Sequence, residues 1–363
     1  MKVLHMTKVQ GIGGAEQHLL TLLPELRRRG VDARVLSLDG GKDAKRFYRA
    51  LDERAVPWQR VQCGPDVSPR LARAIGRVVR AEQPDLVHTH MVHADVYGSV
   101  AARRSGVPFI STRHNDDRYL LGPFRYVDRW FMRSVSRVIA ISEAVRDFQE
   151  RAGLPAEKLV TVHYGLDQAP SAPSEVTPHG AGIPDDAPLV LAIGRLIEQK
   201  DHTTLLHAFA GVHRQMPEAR LAILGWGLLE PRLRDLTAEL GLEGSVSILG
   251  RVEPRDWLAR ADLFAHTSRW EGFGIVLLEA MLSGLPVVAT NVSAVPEIVL
   301  DGETGLLATA GDVPRITANV VRLLSDPEER ARFGAAGLVR ARVEFSVDRM
   351  TSATIGVYEK ALS

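Results

Sequence analysis

The sequence predicts an α/β protein built from two doubly wound domains. Three observations carry this: a chain of 363 residues, an alternation of strand-like and helix-like segments along most of it, and one Pro/Gly/Ser-dense stretch that interrupts the alternation. A chain this long exceeds one small core. Strand–helix alternation implies a parallel sheet covered by helices on both faces.

The first half opens with a strand at Val3-Leu-His-Met6, the turn Gly11-Ile-Gly-Gly14, and a helix from about Ala15 to Arg29 that stops at Gly30. Further strands fit Ala33–Leu38, Leu86–His90, Phe109–Thr112 and Val138–Ile141, with helices over 69–82, 94–105, 123–136 and 142–152. Residues 168–188 lack periodicity and read as a linker. Alternation restarts at Leu189–Ile193 and continues through Leu221–Leu224, Val246–Leu249, Leu263–His266 and Val287–Ala289. The expected division is an N-terminal domain over 1–168, a linker over 169–188, a second domain over 189–345 and a terminal helix over 346–363. Ligands of such folds bind at the carboxyl ends of the strands.

Composition excludes several classes. A hydrophobic fraction of 45% and a charged fraction of 25% are ordinary for a globular protein. The single cysteine, Cys63, cannot form an intrachain disulfide. No stretch approaches the roughly 20 apolar residues of a membrane span, so a cytoplasmic protein is expected. The first half is arginine-rich and basic and the second acidic, while the net charge is +1. Arg70, Arg73, Arg77 and Arg80 recur at helical spacing, and Arg125, Arg129 and Arg133 form a second stripe beside Phe124, Val127 and Phe131. Each stripe reads either as a solvated basic side or as a peripheral contact with anionic lipid. No nucleic-acid partner is expected.

The segment Glu271-Gly-Phe-Gly-Ile-Val-Leu-Leu-Glu279 is the most informative in the chain. A Gly-bearing turn opens an apolar helix that runs to Gly284, with one carboxylate in the loop and another about a turn and a half inside. Such a helix start offers unpaired N–H groups and a positive dipole end to an anion such as a diphosphate. Arg195 and Lys200, between a strand and the helix from His202, can add charge-assisted donors. His88, His90 and His93 have metal-like spacing, but a buried strand end accounts for the first two better. Gly11-x-Gly13-Gly14 approaches a dinucleotide fingerprint, yet Glu16 stands where the third glycine belongs, which argues against a dehydrogenase.

Taken in order, Gly194-Arg195-Leu-Ile-Glu-Gln-Lys200, Glu271-Gly-Phe-Gly-x4-Glu279, Leu285-Pro-Val-Val-Ala-Thr290, Pro296-Glu297 and Asp301-Gly-Glu-Thr-Gly-Leu306 resemble the C-terminal half of a family-4 retaining glycosyltransferase of the GT-B fold. Gly13-Gly14-Ala-Glu16, Pro84-Asp-Leu-Val-His88-Thr-His90, Thr112-Arg-His114-Asn115 and Ile139-Ala-Ile-Ser142-Glu143 resemble its N-terminal half. The resemblance implies two Rossmann-like domains facing across a deep cleft, with the last segment packing back on the first. It implies that Arg195 and Lys200 bind the donor diphosphate, that the N–H groups of Phe273, Gly274 and Ile275 meet sugar and phosphates, and that Glu279 holds the ribose. Glu271 would sit against the transferred sugar, Gly14 against the diphosphate and His114 beside the sugar, while Arg251 and Val252 occupy the base-contacting turn. Gly13, Glu16, His90 and Arg113 are candidates on the acceptor side.

The implied reaction moves a hexose or N-acetylhexosamine from a nucleotide sugar, UDP-linked before GDP-linked. The acceptor is a hydroxyl on a glycan, a lipid-linked intermediate or a small molecule. Retention through a front-face mechanism, with the leaving phosphate helping to deprotonate the acceptor, does not require Glu271 to be a covalent nucleophile. No metal or other cofactor is expected, and no Asp-x-Asp motif occurs. An epimerase of the same architecture and a non-catalytic nucleotide-sugar binder are the alternatives. Three positions depart from the family pattern: Ser293-Ala294 replaces a usual Gly-Gly, Trp226 a common acidic residue and Tyr164 a usual Asn. The Trp226 indole would pack near the base or fill the domain core.

Overall fold

A computed structural model describes residues 1–9, 11–39, 44–62 and 68–363; Cys63 lies outside the described residues. The chain forms two compact units, one of Met1–Gly165 with Ser346–Ser363 and the other of Leu166–Phe345.

The first unit contains strands β1 (Lys2–Val9), β2 (Asp32–Asp39), β3 (Trp58–Gln62), β4 (Leu86–His90), β5 (Phe109–Arg113), β6 (Arg137–Ala140) and β7 (Leu159–Thr161). They lie side by side in the order β3-β2-β1-β4-β5-β6-β7, every pair parallel. The second unit holds β8 (Leu189–Ile193), β9 (Arg220–Leu224), β10 (Val246–Leu249), β11 (Leu263–His266), β12 (Val287–Thr290) and β13 (Gly305–Ala308), in the parallel order β10-β9-β8-β11-β12-β13. Both are doubly wound. The strand order reverses between β1 and β4 and between β8 and β11, and these reversals create crevices at the carboxyl ends of the strands. Sequence periodicity did not reveal β3, β7 or β13, which are short or only partly buried.

Strand parity divides the first unit's interior. Val3, Leu86 and Ile110 face a core that includes Leu19, Leu23, Met350 and Tyr358, from the Gly14–Arg28 and Val347–Leu362 helices. Leu4, Val87 and Phe109 face the opposite core, with Leu71, Ile75, Tyr97 and Met132. Side chains alternate along a strand. His5, His88, His90 and Thr112 therefore share the first face, and Thr89, Ser111 and Arg113 the second.

The boundaries differ from expectation by a few residues, and the expected linker is part of the second unit. Ser174 N–H donates to Asp256 at 3.0 Å, and Trp257 Nε1 donates to the Val176 carbonyl at 2.8 Å. Side chains on the Arg255–Arg260 helix thus tie down a stretch that composition alone reads as open. The helix Val347–Leu362 belongs to the first unit.

Candidate active site

In the second unit, the β8/β11 crevice is lined by charge. Lys200 Nζ forms a close ion pair with Glu271, both largely buried. His266, the last residue of β11, places Nε2 3.2 Å from the same carboxylate, and Ser268 Oγ lies 3.0 Å from His266 and 3.3 Å from Glu271. Burial alone would raise the Glu271 pKa, but the Lys200 charge and the His266 hydrogen bond hold it well below the usual carboxylate range. Burial lowers the His266 pKa against the pull of Glu271. The Lys200 amine, the His266 imidazole and the Ser268 hydroxyl thus converge on one oxygen of the Glu271 carboxylate.

Backbone geometry fixes that point. Asp201, with φ of 47°, caps the His202–Gln215 helix by accepting from Thr204 N–H at 3.3 Å and also accepts from Arg269 Nε at 2.9 Å. Thr267 Oγ1 donates to the Lys200 and Asp201 carbonyls at 3.2 and 3.1 Å. The loop holding Arg195 is laced to its neighbour by Leu196 N–H to Trp226 O at 2.8 Å and Leu229 N–H to Leu196 O at 3.0 Å. A side chain at Gly225 would collide with the Gly194 carbonyl, so only glycine permits this approach. Arg195 itself is exposed, with no ion pair among the described residues.

Gly274 ends the loop with φ of 93° and opens the Ile275–Leu282 helix. In the first turn the Leu277 N–H donates to the Gly274 carbonyl at 2.9 Å, while those of Ile275 and Val276 precede the first intrahelical acceptor. Phe273 is buried with its ring 5.8 Å from Phe345, edge to face. Glu279 is half-buried; desolvation, helped by the Glu253 charge, pushes its carboxyl up to about 7. Arg251 stacks 3.9 Å over the Trp226 ring, and Val252 follows it in the chain. Trp226 is 42% exposed, which overturns the expectation that it could fill the core. Ser293 adopts φ of 44°, the left-handed conformation that a glycine would take without strain.

In the first unit, the β1/β4 crevice is lined by neutral imidazoles. His5 Nδ1 lies 3.1 Å from His90 Nε2, His90 Nδ1 lies 3.1 Å from His114 Nε2, and His114 Nδ1 is closely hydrogen-bonded to the Tyr164 hydroxyl. At the other end the Tyr358 hydroxyl is 3.5 Å from His5 Nε2 and 2.9 Å from His88 Nδ1, and His88 Nε2 meets Thr112 Oγ1 at 2.7 Å. His18 stacks on Tyr164 at 4.4 Å. Burial lowers the pKa of His5, His18, His88, His90 and His114. A neutral imidazole has one N–H and one lone pair. The protons of this relay therefore all point toward Tyr164 or all point away from it. His5, His88 and His90 also have nitrogens within 4.8 Å of one another, close enough to meet one metal ion. His93 stands apart, against Tyr97.

Of the remaining expected residues, Gly13 and Gly14 are exposed at the start of the Gly14–Arg28 helix, with no atom near a Cβ built at Gly14. Glu16 is buried and accepts from the Gly13 N–H at 2.9 Å, a helix-capping contact. Arg113 is not available to an acceptor as drawn from the sequence. Parity turns it to the opposite face from His114, where its Nη2 pairs with Asp128 at 2.8 Å and Asp95 at 3.3 Å. Met91, between the crevice strand and the next helix, has φ of 70° and ψ of 153°, a strained conformation for any residue but glycine. His5, Tyr358 and His266 were missed in the sequence; His266 could have been found as the last residue of a switch-point strand.

Residues 175–340 match the family described as Glycosyl transferases group 1, and residues 12–169 match Glycosyltransferase Family 4. A phosphatidyl-myo-inositol mannosyltransferase of Mycobacterium leprae is 32% identical, over 96% of this chain and 93% of its own. An alpha-maltose-1-phosphate synthase of Mycolicibacterium smegmatis is 27% identical, over 99% of each chain. The crystal structure of Anabaena HepE in complex with UDP and glucose is similar with a TM-score of 0.86 and 26% identity, over 99% of each chain. With both halves matched in order and a doubly wound sheet in each unit, the chain belongs to the family-4 (group 1) glycosyltransferases of the GT-B fold and is a hexosyltransferase.

Proposed function

We propose that the enzyme transfers a hexose or N-acetylhexosamine from a UDP-sugar, with retention, to a hydroxyl of a glycan, glycolipid or polyprenyl-linked intermediate of surface polysaccharide synthesis. The observation that carries this is the Lys200–Glu271–His266 cluster beside the helix opened by Gly274. As the C1–O bond breaks, negative charge builds on the diphosphate. Lys200, Arg195 and the first N–H groups of the helix are placed in one unit to stabilise it. This supply of positive charge makes a metal unnecessary in the proposed mechanism. Glu271, anionic and anchored by Lys200, faces the sugar as an electrostatic and hydrogen-bonding group. Glu279 takes the ribose hydroxyls, and Arg251, Val252 and Trp226 form the base turn.

The UDP complex of HepE supports a uridine donor. The mannosyltransferase relative makes GDP-mannose the second reading. Thermal stabilisation across UDP, GDP, ADP and NAD separates them: UDP is expected to raise the melting temperature most. A response to GDP without one to UDP overturns the uridine assignment. UDP release that does not rise with any hydroxyl acceptor overturns transfer in favour of hydrolysis or binding alone.

A further inference from the structure

The Phe124–Met132 helix is inside out. Its two buried residues are Met132 and Asp128, the latter 4% exposed. A surface helix ordinarily turns its apolar stripe inward and its charges outward. Here the carboxylate points in, and the buried Arg113 neutralises it at 2.8 Å. Outward stand Phe124, Val127, Tyr126 at 60% and Trp130 at 48% exposure, preceded by exposed Tyr119 and Leu121. Tyr119 and Phe124 make an edge contact at 5.5 Å, so the turn and the helix share one patch. Six of the thirteen exposed large apolar side chains among the described residues lie in this short segment, a concentration that singly scattered surface residues do not produce.

Arginines dominate the charges around the patch, with Asp117 hydrogen-bonded to Tyr119 at its edge. The guanidinium carbons of Arg103 and Arg133 each lie 4.8 Å from the Trp130 ring centre, and that of Arg125 lies 4.8 Å from the Tyr126 ring. Arg104 and Arg129 are exposed nearby in sequence, and the helix's one acid is used inside. Aromatic rings with polar edges settle at the boundary between headgroups and acyl chains, while arginine stems lie along apolar surface and keep their heads among phosphates.

We infer that this face docks on an anionic phospholipid surface. A second copy of the chain is a poorer occupant, because a two-fold contact through the same face sets arginines against arginines. The other arginine stripe serves as an internal contrast. On the Pro69–Glu82 helix Leu71, Ile75 and Val79 are buried and Arg70, Arg73, Arg77 and Arg80 are exposed, an ordinary solvated side. The inference is independent of the donor assignment.

Flotation of the full chain with vesicles of phosphatidylcholine, with and without phosphatidylglycerol, tests it. The wild type should float with the phosphatidylglycerol vesicles. Tyr126→Ser/Trp130→Ser should lower that partition on the order of tenfold or more at an unchanged melting temperature, by loss of two apolar anchors. Brominated acyl chains should quench tryptophan emission in the wild type, and Trp130→Phe should lose that quenching. Equal flotation of variant and wild type, or quenching untouched by Trp130→Phe, overturns the proposal. So does a wild-type dimer that the double variant converts to monomer, which assigns the face to a second copy.

Discussion

The two switch-point crevices share a topology and differ in charge. Between β1 and β4 stand His5, His88, His90 and His114, all held neutral by burial and hydrogen-bonded to one another and to two tyrosines. Between β8 and β11 stand Lys200, Glu271 and His266 around a carboxylate that stays ionised. The doubly wound sheet supplies a place; the residues that end its strands decide what is done there. A charged crevice suits a leaving diphosphate, and a neutral relay with one N–H and one lone pair per ring suits hydroxyl groups that carry no charge to the site.

The largest effect should come from breaking the charged side. Lys200→Ala is expected to cut transfer roughly 100- to 1,000-fold, as removal of a transition-state donor does. It should also cost about 3 kcal/mol of stability, because Glu271 is left buried without its cation. Adding Glu271→Gln to that variant should return most of the stability and none of the rate, measured by denaturant melts beside initial rates. A stable Lys200→Ala protein would mean that the pair does not govern the crevice.

On the neutral side, a single phenol should set the direction of the relay. Tyr358→Phe should cost about 1–2 kcal/mol, a lost hydrogen bond in the core. A buried N–H without an acceptor is worse than an idle lone pair, so His5 should carry its proton on Nδ1 in that variant. His90 and His114 follow, and His114 donates to Tyr164. In Tyr164→Phe the order reverses, and His114 should be protonated on Nε2. Imidazole ¹⁵N shifts read this directly; the same His114 tautomer in both variants would show that the rings are uncoupled.

A third contrast concerns pH. The folded Glu279 carboxyl titrates at about 7, against an ordinary 4.5. Its folded pKa is raised, so the folded state holds the extra proton between those values and the contribution of this one carboxyl to stability falls as pH rises through that window. The buried histidines of the first unit, His5 and His18 with folded pKa lowered to about 3, act in the opposite sense and add stability as pH rises toward 6.5. Glu279→Gln should therefore make the rise of the melting temperature between pH 4.5 and 7 steeper, and an unchanged profile would deny the raised carboxyl. The smallest effect belongs to Ser293→Gly. Relief of the left-handed serine should exceed the entropy glycine loses on folding by about 0.5 kcal/mol, a slight rise in melting temperature with activity retained.

The sequence made the alternation of both units legible, because parallel strands buried on two faces read as apolar runs. It also exposed the loop and helix from Glu271 to Glu279, since a glycine turn before an apolar helix is a local signal. Contacts across distance were not legible. Lys200 and Glu271 meet from positions 71 apart, and Tyr358 reaches His88 from 270 away. Arg113 reads from its motif as an acceptor-side candidate, yet strand parity contained the answer: it alternates with Thr112 and His114 and faces the other core, where it pairs with Asp128 and Asp95. The stretch 169–188 looked open because its partners, Asp256 and Trp257, come 82 and 81 residues after the Ser174 and Val176 they hold.

The order in which the units are made has a consequence for their folding. The second unit is continuous, Leu166–Phe345, and every residue of its core has been synthesised before residue 346 appears. The first unit is not: Met350, Val357 and Tyr358 complete the core begun by Val3 and Leu19. On the ribosome the N-terminal sheet therefore waits, one face open and His88 lacking its phenol, while the later unit closes. A nascent chain arrested at residue 345 should hold a finished C-terminal body and a protease-sensitive N-terminal one, the reverse of the usual order of maturation.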